Sequence, residues 1–458
     1  MNFMRRYLLM FVILGSLTEG FGQDKKELLK LSITEAQTFA LQNNRAVQSS
    51  KIDIKIADKQ VWETVATGLP QLNVAANYLH QFVVPQLNLG PYLDVNSLLD
   101  GPVTKADFIN AYKPSTPISL GVKNNTTVDF TVSQLIFNGE YIVGLQAIKV
   151  LKQISEKVLI KTEDQTKESV AGTYYLILVL SENVRLLNES LKSIDKTYNE
   201  MVKMNEQGLN EETDVDQIKI NKSNIQTLIT SLESQKEISI KLLKYQLGVG
   251  FDQQIELTDS LPGIIEQGKT MYLASPDFNI KNSIDYQMVS TQEKVSALML
   301  RREKSKYLPT ISAFYRHQEQ TNKPSFNFAV KDVVGATLSL PIVTSGMRNS
   351  KVSQAKFNLE KSHLATEIAE QGLIMEFETA WSSYRTAFNN FNTNQESMNL
   401  SKKVYDKTII KYHEGVSSSF ELTQNQNQFL TAESNYYNSV LSLLNAKAKL
   451  DRILSSNK

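Results

Sequence analysis

The sequence predicts an α+β chain built by internal duplication, in which short strands of alternating polarity are joined to very long helices. Three observations predict this class. The 458 residues include only 19 glycines and 11 prolines, which favours long uninterrupted elements. The apolar share of 41% is enough for a sizeable buried core. Glycines and other residues recur at a constant offset in the two halves of the chain.

The charge balance and the absence of cysteine exclude several classes of function. The chain has 49 basic and 48 acidic residues, so it has no excess of positive charge for nucleic acid. Without cysteine it cannot use thiol catalysis, cysteine-bound zinc or disulfides. Its four histidines lie far apart and lack the His-Glu-x-x-His spacing of a zinc helix. We therefore expect no enzyme activity, no cofactor, no metal site and no nucleic-acid partner.

Residues 1–22 are expected to be a secretory signal peptide. Arg5 and Arg6 precede an apolar run over 7–14, and Gly20 and Gly22 are the small residues of a cleavage site. The apolar run is too short to cross a membrane as a helix. We expect an exported chain that begins at residue 23.

Two constant offsets define the duplication. The segments 139–208 and 346–415 both begin and end with glycine and are related by an offset of 207 residues. The front of each repeat follows an offset of 239, which aligns the Leu-Pro pairs at 69–70 and 308–309. The difference of 32 residues requires an insertion, and we place it in a long loop over 82–125 because five of the 11 prolines lie there.

The first repeat, 23–247, begins with a helical run from 33 to 67 that ends before Leu69-Pro70, since proline restricts the residue before it. Apolar and polar residues then alternate over 72–82 and over 128–136, on either side of the loop, which is the period of a strand with one apolar face. A long helix over 139–207, a tip and a helix over 212–247 complete the repeat.

The second repeat, 277–458, follows a connecting segment over 248–276 and has the same order of elements. After an opening helix, the predicted elements are strands over 310–319 and 333–341, a long helix over 346–414, a tip and a helix over 419–454.

The long helices are expected to form coiled coils. About 68 residues at 1.5 Å each give a helix of roughly 100 Å, which needs a packing partner along its length. Heptad spacing defines a seam on the first long helix and a facing stripe on the returning helix. The seam is Leu187, Leu191, Ile194, Tyr198 and Met201, and the stripe is Ile218, Ile225 and Leu232.

The four strands allow two interpretations. Their length of about ten residues and their alternation fit tilted strands of a membrane barrel. Four strands cannot close a barrel, and an open edge cannot exist in lipid. Either they form a soluble sheet, or several copies pool their strands, and three copies would give twelve. Periodicity alone favours the soluble sheet.

Several short motifs, taken in order, resemble the TolC-like outer-membrane efflux proteins over nearly all of the mature chain. They are LSITEAQTFALQNN at 31–44, LPQL at 69–72, LPTI at 308–311, LSLPIVTSG at 338–346, YHEGV at 412–416 and FELTQ at 420–424. The resemblance implies a trimeric twelve-stranded β-barrel, with four strands per protomer, continued by a long α-helical coiled-coil tunnel across the periplasm. It reverses the preference for a soluble sheet.

The resemblance also implies a function. It predicts an outer-membrane channel of a tripartite efflux or type I secretion system, which serves as a passive export conduit. The implied partners are two further copies of the chain in a homotrimer, a periplasmic adaptor (membrane fusion) protein, an inner-membrane transporter and outer-membrane lipid. The alternative is a soluble periplasmic coiled-coil scaffold without a pore. The cargo and the identity of the transporter are not encoded in any motif.

The family's periplasmic gate maps onto both tips. The resemblance places gate residues at Thr213 and Asp214 in the first tip and at Tyr412 and Glu421 in the second. We expect an Asp214–Tyr412 hydrogen bond between tips, and a ring of Glu421 carboxylates that attracts cations.

Two gate positions depart from the family pattern. Ser417 stands where the latch often has arginine, and Gln424 stands where a second carboxylate is found. The adaptor is expected to contact the tip turns at Gly208, Leu209, Gly415 and Val416. The loop over 82–125 is expected to be extracellular.

Overall fold

The computed structural model describes residues 28–98, 101–269, 277–323, 327 and 329–455. The predicted signal peptide, 1–22, and the end of the connecting segment, 270–276, lie outside the described residues. The chain divides into two compact units. The strand unit comprises Lys51–Val158 and Ile284–Gln371, and the tip unit comprises Met1–Ser50, Leu159–Ser283 and Gly372–Lys458.

Helices dominate the described residues, and the fold belongs to the predicted α+β class. The α-helices are α1 Ile33–Asn43, α2 Arg45–Ala66, α3 Lys105–Asn110, α4 Gly139–Glu206, α5 Glu212–Leu247, α6 Leu261–Lys269, α7 Ile284–Ser305, α8 Met347–His413 and α9 Ser419–Ser455. The two long helices, α4 and α8, have 68 and 67 residues. Each belongs to the strand unit in its N-terminal part and to the tip unit in the rest.

The strands are short except for four. They are β1 Leu29–Leu31, β2 Gln71–His80, β3 Gln86–Leu87, β4 Tyr92–Leu93, β5 Tyr112–Lys113, β6 Ile118–Ser119, β7 Asn124–Asn138, β8 Ile255–Leu257, β9 Thr310–Gln320 and β10 Asp332–Ser339. β10 ends two residues before the predicted end at 341. Pro341 has no N–H to continue the ladder, which explains the early end.

One continuous helix over 33–67 is a wrong prediction, because the chain breaks at Asn44. This residue has extended backbone angles, φ −60° and ψ 132°. Its side-chain oxygen accepts hydrogen bonds from the N–H groups of Ala46, at 2.8 Å, and Val47, at 3.3 Å. Asn44 thus caps the start of α2, since asparagine satisfies unpaired N–H groups better outside a helix than within it.

Four strands of the strand unit form one antiparallel sheet in the order β10-β9-β7-β2. Residues directly opposite one another share a face of the sheet. One such row consists of Leu72, Val132, Tyr315 and Val334, and the next consists of Asn73, Thr131, Arg316 and Val333. The first row belongs to a mainly apolar face and the second to a mainly polar face, so the alternation predicted from the sequence corresponds to two distinct faces.

The insertion over 82–125 contains regular structure that its sequence does not indicate. β3 pairs with β6, and β4 pairs with β5, both antiparallel. The helix α3 starts with a capping box in which Thr104 and Asp107 bond to each other's backbone N–H groups. The pairs have only two residues in each strand, too few for a periodic signal.

The tip unit has two apolar clusters. We call the larger one the main cluster; its buried residues include Tyr174, Leu243, Phe391 and Leu443. The second, the tip cluster, comprises Val184, Leu187, Ile194, Met201, Ile218, Ile225, Ile229, Tyr405, Leu422 and Phe429. Leu191, Tyr198 and Leu232 pack against the tip cluster, so the predicted heptad seam and its facing stripe are confirmed.

The helix α4 has an apolar stretch that core packing explains. It is the one helix among the described residues with an 18-residue window apolar enough to cross a membrane, and half of that window is buried in the protein. Val170, Tyr174 and Ile177 of this helix are buried in the main cluster. These contacts give a structural reason for the high hydropathy of the helix.

The start of the connecting segment is bound to the main cluster. β8 pairs in parallel with β1. The hydroxyl of Tyr174 donates a hydrogen bond to Asp259 Oδ2 at 2.8 Å, and the Ile33 N–H donates to the same oxygen at 2.7 Å. One carboxylate therefore joins the first helix, the long helix α4 and the connecting segment.

Candidate functional site at the helix tips

The first tip turn joins α4 to α5 through Gly208. This glycine has φ 69°, in the left-handed region that glycine adopts without strain. The Leu209 N–H donates to the Met204 carbonyl oxygen at 2.9 Å, and the Asn205 side chain donates to the Asn210 carbonyl oxygen at 2.9 Å. The Leu209 side chain is 66% exposed. The turn is thus held by its backbone and presents an apolar side chain to its surroundings.

The second tip turn has the same construction at Gly415, where φ is 72°. The Val416 N–H donates to the Lys411 carbonyl oxygen at 2.8 Å, which satisfies a free carbonyl at the end of α8. The Val416 side chain is 75% exposed. Equivalent positions in the two repeats therefore present an exposed aliphatic residue directly after a left-handed glycine.

Asp214 joins the two tips within one protomer. It lies in the first turn of α5, where a carboxylate interacts favourably with the helix dipole. Its Oδ1 accepts a hydrogen bond from the hydroxyl of Ser419, the first residue of α9. Thr213 is exposed, and its hydroxyl donates to Glu211 Oε2 at 3.2 Å. Of the two residues predicted for the first tip, Asp214 is the one that contacts the second tip.

The expected Asp214–Tyr412 hydrogen bond is absent within this protomer, where Ser419 takes the place of the tyrosine. Among the described residues, the Tyr412 hydroxyl has no hydrogen-bond partner, and the ring packs half-buried against the tip cluster. Burial raises the pKa of Tyr412, and the carboxylates of Asp214 and Glu200 raise it further. The Asp214 carboxylate therefore interacts electrostatically with the Tyr412 hydroxyl, although no hydrogen bond joins the two groups.

Ser417 and Glu421 form a hydrogen-bonded pair at the start of α9. The Ser417 hydroxyl donates to Glu421 Oε2 at 2.7 Å, and the Glu421 N–H donates to Ser418 Oγ at 3.2 Å. The sequence Ser-Ser-Ser-Phe-Glu over 417–421 thus starts the helix in the manner of a capping box. Gln424 is exposed one turn further along α9. Ser417, expected only as a departure from the family pattern, is in fact the partner of Glu421.

Two further contacts at the tips were not predicted from the sequence. The Asn221 amide donates to the Thr423 hydroxyl at 2.8 Å, and both residues are buried. His413 Nδ1 lies 3.2 Å from Glu200 Oε2. Asn221 lies on the heptad stripe between Ile218 and Ile225, which is the one sequence signal that could have indicated its buried position.

The described part of the chain has no candidate metal site. Among the described residues, no group of three or more histidine and acidic side chains could hold a metal ion. The polar side chains at the tips bind one another and helix ends. This arrangement holds the two helical hairpins together.

Comparison with known proteins supports the family that the sequence motifs indicate. Residues 300–456 match the family model described as outer membrane efflux protein. No curated protein matches the chain.

Solved structures with the same fold cover nearly the whole chain. The Campylobacter jejuni CmeC outer membrane channel has a TM-score of 0.72 at 16% identity, over 93% of this chain and 85% of its own. The Neisseria gonorrhoeae MtrE outer membrane channel, in its open state, has a TM-score of 0.72 at 15% identity, over 92% and 88%. The outer membrane protein VceC from Vibrio cholerae has a TM-score of 0.69 at 14% identity, over 92% and 95%.

These findings define the class of protein as a helix-dominated α+β protein with the fold of outer-membrane efflux channels. Over residues 300–456 the chain is similar to outer membrane efflux proteins, the family that its motifs resemble. The description of this family model agrees with the predicted outer-membrane location and export function. The family and the structural neighbours are channels rather than enzymes.

Proposed function

We propose that three copies of the chain form a channel through the outer membrane and act as the exit duct of a tripartite efflux or type I secretion system. The channel is passive and not an enzyme. One observation carries this proposal, namely the four-stranded sheet, which has an exposed apolar face, a polar face and two unpaired edges.

The apolar face of the sheet fits a lipid surface. Its side chains include Leu72, Val334 and Leu338, which are 68%, 81% and 67% exposed. Apolar residues on this scale are normally buried in a protein that is surrounded by water. Barrel strands in lipid place apolar residues outward and polar residues toward the lumen, and Asn73, Thr131 and Arg316 then line the lumen.

The edges of the sheet fit closure by further copies. Within the part of the chain that the structure describes, β2 and β10 each pair on one side only. Unpaired backbone groups are very costly in lipid, so the edges must meet another strand. If β10 of one copy pairs with β2 of the next, three copies supply twelve strands and every strand is paired.

The helices next to these edges carry matching apolar residues. α2 leads into β2 and exposes Ile52, Ile56 and Trp62, while α8 follows β10 and exposes Phe357, Leu364 and Ile368. Neither row is covered by the described part of the protomer. Contact between α2 of one copy and α8 of the next would bury both rows below the same seam that joins the strands.

The partners follow from this assembly. The exposed tip residues Leu209 and Val416, each directly after a left-handed glycine, are proposed to contact a periplasmic adaptor. An inner-membrane transporter would supply the energy. Thr213, Asp214, Tyr412, Ser417, Glu421 and Gln424 are proposed to form the periplasmic gate. The insertion over 82–125 is proposed to lie outside the cell.

Membrane fractionation and native mass spectrometry test this proposal against the soluble scaffold. We expect the protein to need detergent for extraction and to have the mass of three chains in detergent. We also expect it to conduct ions in planar bilayers. Release from membranes by alkali alone, as a single chain, would support the pore-free scaffold instead.

A further inference from the structure

The inward face of α9 contains two polar residues in an otherwise apolar seam. Leu422, Gln426, Phe429, Glu433 and Tyr437 follow one another at steps of three or four residues, and all are buried. Gln426 and Glu433 are each only 1% exposed. They are one heptad apart and so lie on the same face of the helix.

Among the described residues, neither polar side chain has a hydrogen-bond partner. Both carboxylate oxygens of Glu433 and both amide atoms of Gln426 are inaccessible and lack any hydrogen bond. Buried polar groups are almost always hydrogen-bonded, because an unpaired one keeps the full cost of losing water. A carboxylate in this position is tolerated far better in its protonated form.

Glu433 lies where the two apolar clusters meet. One turn before it, Phe429 belongs to the tip cluster, and one turn after it, Tyr437 belongs to the main cluster. The same division occurs on the other three helices of the bundle, between Val179 and Val184 on α4, Ile229 and Leu243 on α5, and Phe391 and Tyr405 on α8. The polar layer therefore lies between two separate cores, so the tip cluster can open while the main cluster stays packed.

The charges around Glu433 are few. Burial raises the pKa of Glu433 to about 7, Glu189 on α4 raises it further, and Lys402 on α8 opposes both. Among the described residues of α5, no charged group acts on it. Tyr437 on α9 itself has a raised pKa because of burial and the carboxylates of Glu182 and Glu433, with Arg185 opposing.

We propose that Glu433 is a proton-binding site that couples pH to the packing of the tip cluster. In its neutral form, the seam of α9 stays continuous and the tip segments of the four helices stay packed. In its ionised form, the buried charge favours separation of the helices at this layer, where water can reach it. The consequence for the gate rests on the proposed channel function, whereas the change in packing does not.

The direction of the effect follows from proton linkage. The packed state binds the proton more tightly than an opened state in which Glu433 has its ordinary pKa of 4.5. The packing is therefore strongest at low pH and weakens as the pH rises through about 7. Between pH 5.5 and 8.5, the equilibrium for opening should increase about 30-fold per protomer.

Hydrogen exchange of the full-length protein in detergent, measured by mass spectrometry at both pH values, tests the proposal. After correction for the intrinsic pH dependence of exchange, peptides of the tip cluster should exchange about 30-fold faster at pH 8.5, while peptides of the main cluster should not change. The variant Glu433→Gln mimics the neutral form and should remain protected at both pH values. The control Glu237→Gln removes an exposed carboxylate of α5 and should behave like the wild type.

Two outcomes would overturn the proposal, namely equal protection of the wild-type tip peptides at both pH values, or an unchanged pH dependence in Glu433→Gln. Infrared titration of the wild type against Glu433→Gln gives a second measurement, and a carboxyl that ionises near 4.5 would also overturn it. Bilayer conductance keeps the two proposals apart. A pH-dependent exchange without any conductance would refute the channel and leave the proton site standing.

Discussion

In the tip unit the periodic apolar residues are buried, as Leu187 and Met201 show, whereas in the strand unit those of the sheet, such as Leu72 and Val334, are exposed. The tip unit packs its helices around two cores of its own. The described residues supply no cover for the apolar face of the sheet. The difference agrees with the proposed assembly, in which the tip unit derives its stability from its own cores while the sheet is covered by lipid and by further copies of the chain.

The largest effect is expected from a cavity in the main cluster. Phe391 is fully buried and its ring lies 5.8 Å from that of Tyr436. Phe391→Ala should lower the free energy of unfolding of the tip unit by about 3–5 kcal/mol. Thermal unfolding in detergent, followed by circular dichroism, measures this loss. Phe420→Ala removes a ring that is 72% exposed and is the matched control. An equal loss in both variants would contradict the assigned core.

A charge on the apolar face of the sheet is the next largest perturbation. Val74 lies on the apolar face, and Asn73, its neighbour in β2, lies on the polar face. Val74→Arg should destabilise the inserted sheet by about 2–4 kcal/mol, as arginine does when it faces lipid. Asn73→Arg should insert normally.

Yield of trimer in the outer membrane, measured by gel electrophoresis without boiling, compares the two variants. If Asn73→Arg is the more damaging substitution, the assignment of the two faces is wrong.

The contact between the tips should have a smaller effect on stability and a visible effect on conductance. Ser419→Ala removes the hydrogen-bond donor to Asp214 and should destabilise the closed state of the gate by about 1 kcal/mol. Open conductance should therefore rise several-fold. Tyr412→Phe removes a hydroxyl that has no hydrogen-bond partner among the described residues, and it should change conductance less. The reverse order, with Tyr412→Phe the stronger variant, would indicate that Tyr412 bonds to Asp214 of a neighbouring copy.

The smallest effect concerns ion selectivity. The Glu421 carboxylate accepts a hydrogen bond from the Ser417 hydroxyl, and the Glu421 residue is exposed. Glu421→Gln should reduce cation preference modestly, because three like charges around a narrow mouth act through their summed field. Reversal potentials in a salt gradient measure this preference, with Glu414→Gln, a nearby exposed carboxylate, as the control. Equal reversal potentials for the wild type and Glu421→Gln would place Glu421 away from the constriction.

The sequence predicts features of this fold that repeat with a fixed period. The seam through Leu187 and Ile194 and the alternation through Leu72 and Val74 are such features, because burial or exposure of one face imposes a spacing on the residues. The break at Asn44 was missed since it depends on one side chain bonding to nearby N–H groups rather than on spacing. The short β3–β6 ladder is likewise too brief to produce a pattern.

The sequence predicted where the candidate site lies in the chain, but not which residues contact one another there. Glycine spacing located both tip turns, at Gly208 and Gly415. The partner of Asp214 is Ser419, 205 residues away in the chain, and such a pairing depends on how two hairpins pack. Glu433 is in helical register with Phe429 and Tyr437, but the sequence analysis did not single it out, because a glutamate in a long helix is usually exposed to solvent.

The most direct test of the central claim uses the absence of cysteine from the chain. Val333 and Val334 are neighbours in β10 on opposite faces of the sheet. A spin label at Val334→Cys in the reconstituted protein should be relaxed by oxygen, which concentrates in lipid, and a label at Val333→Cys by a water-soluble nickel complex. Relaxation of the Val334→Cys label by the nickel complex alone would mean that the apolar face meets water, and that the sheet is not part of a membrane barrel.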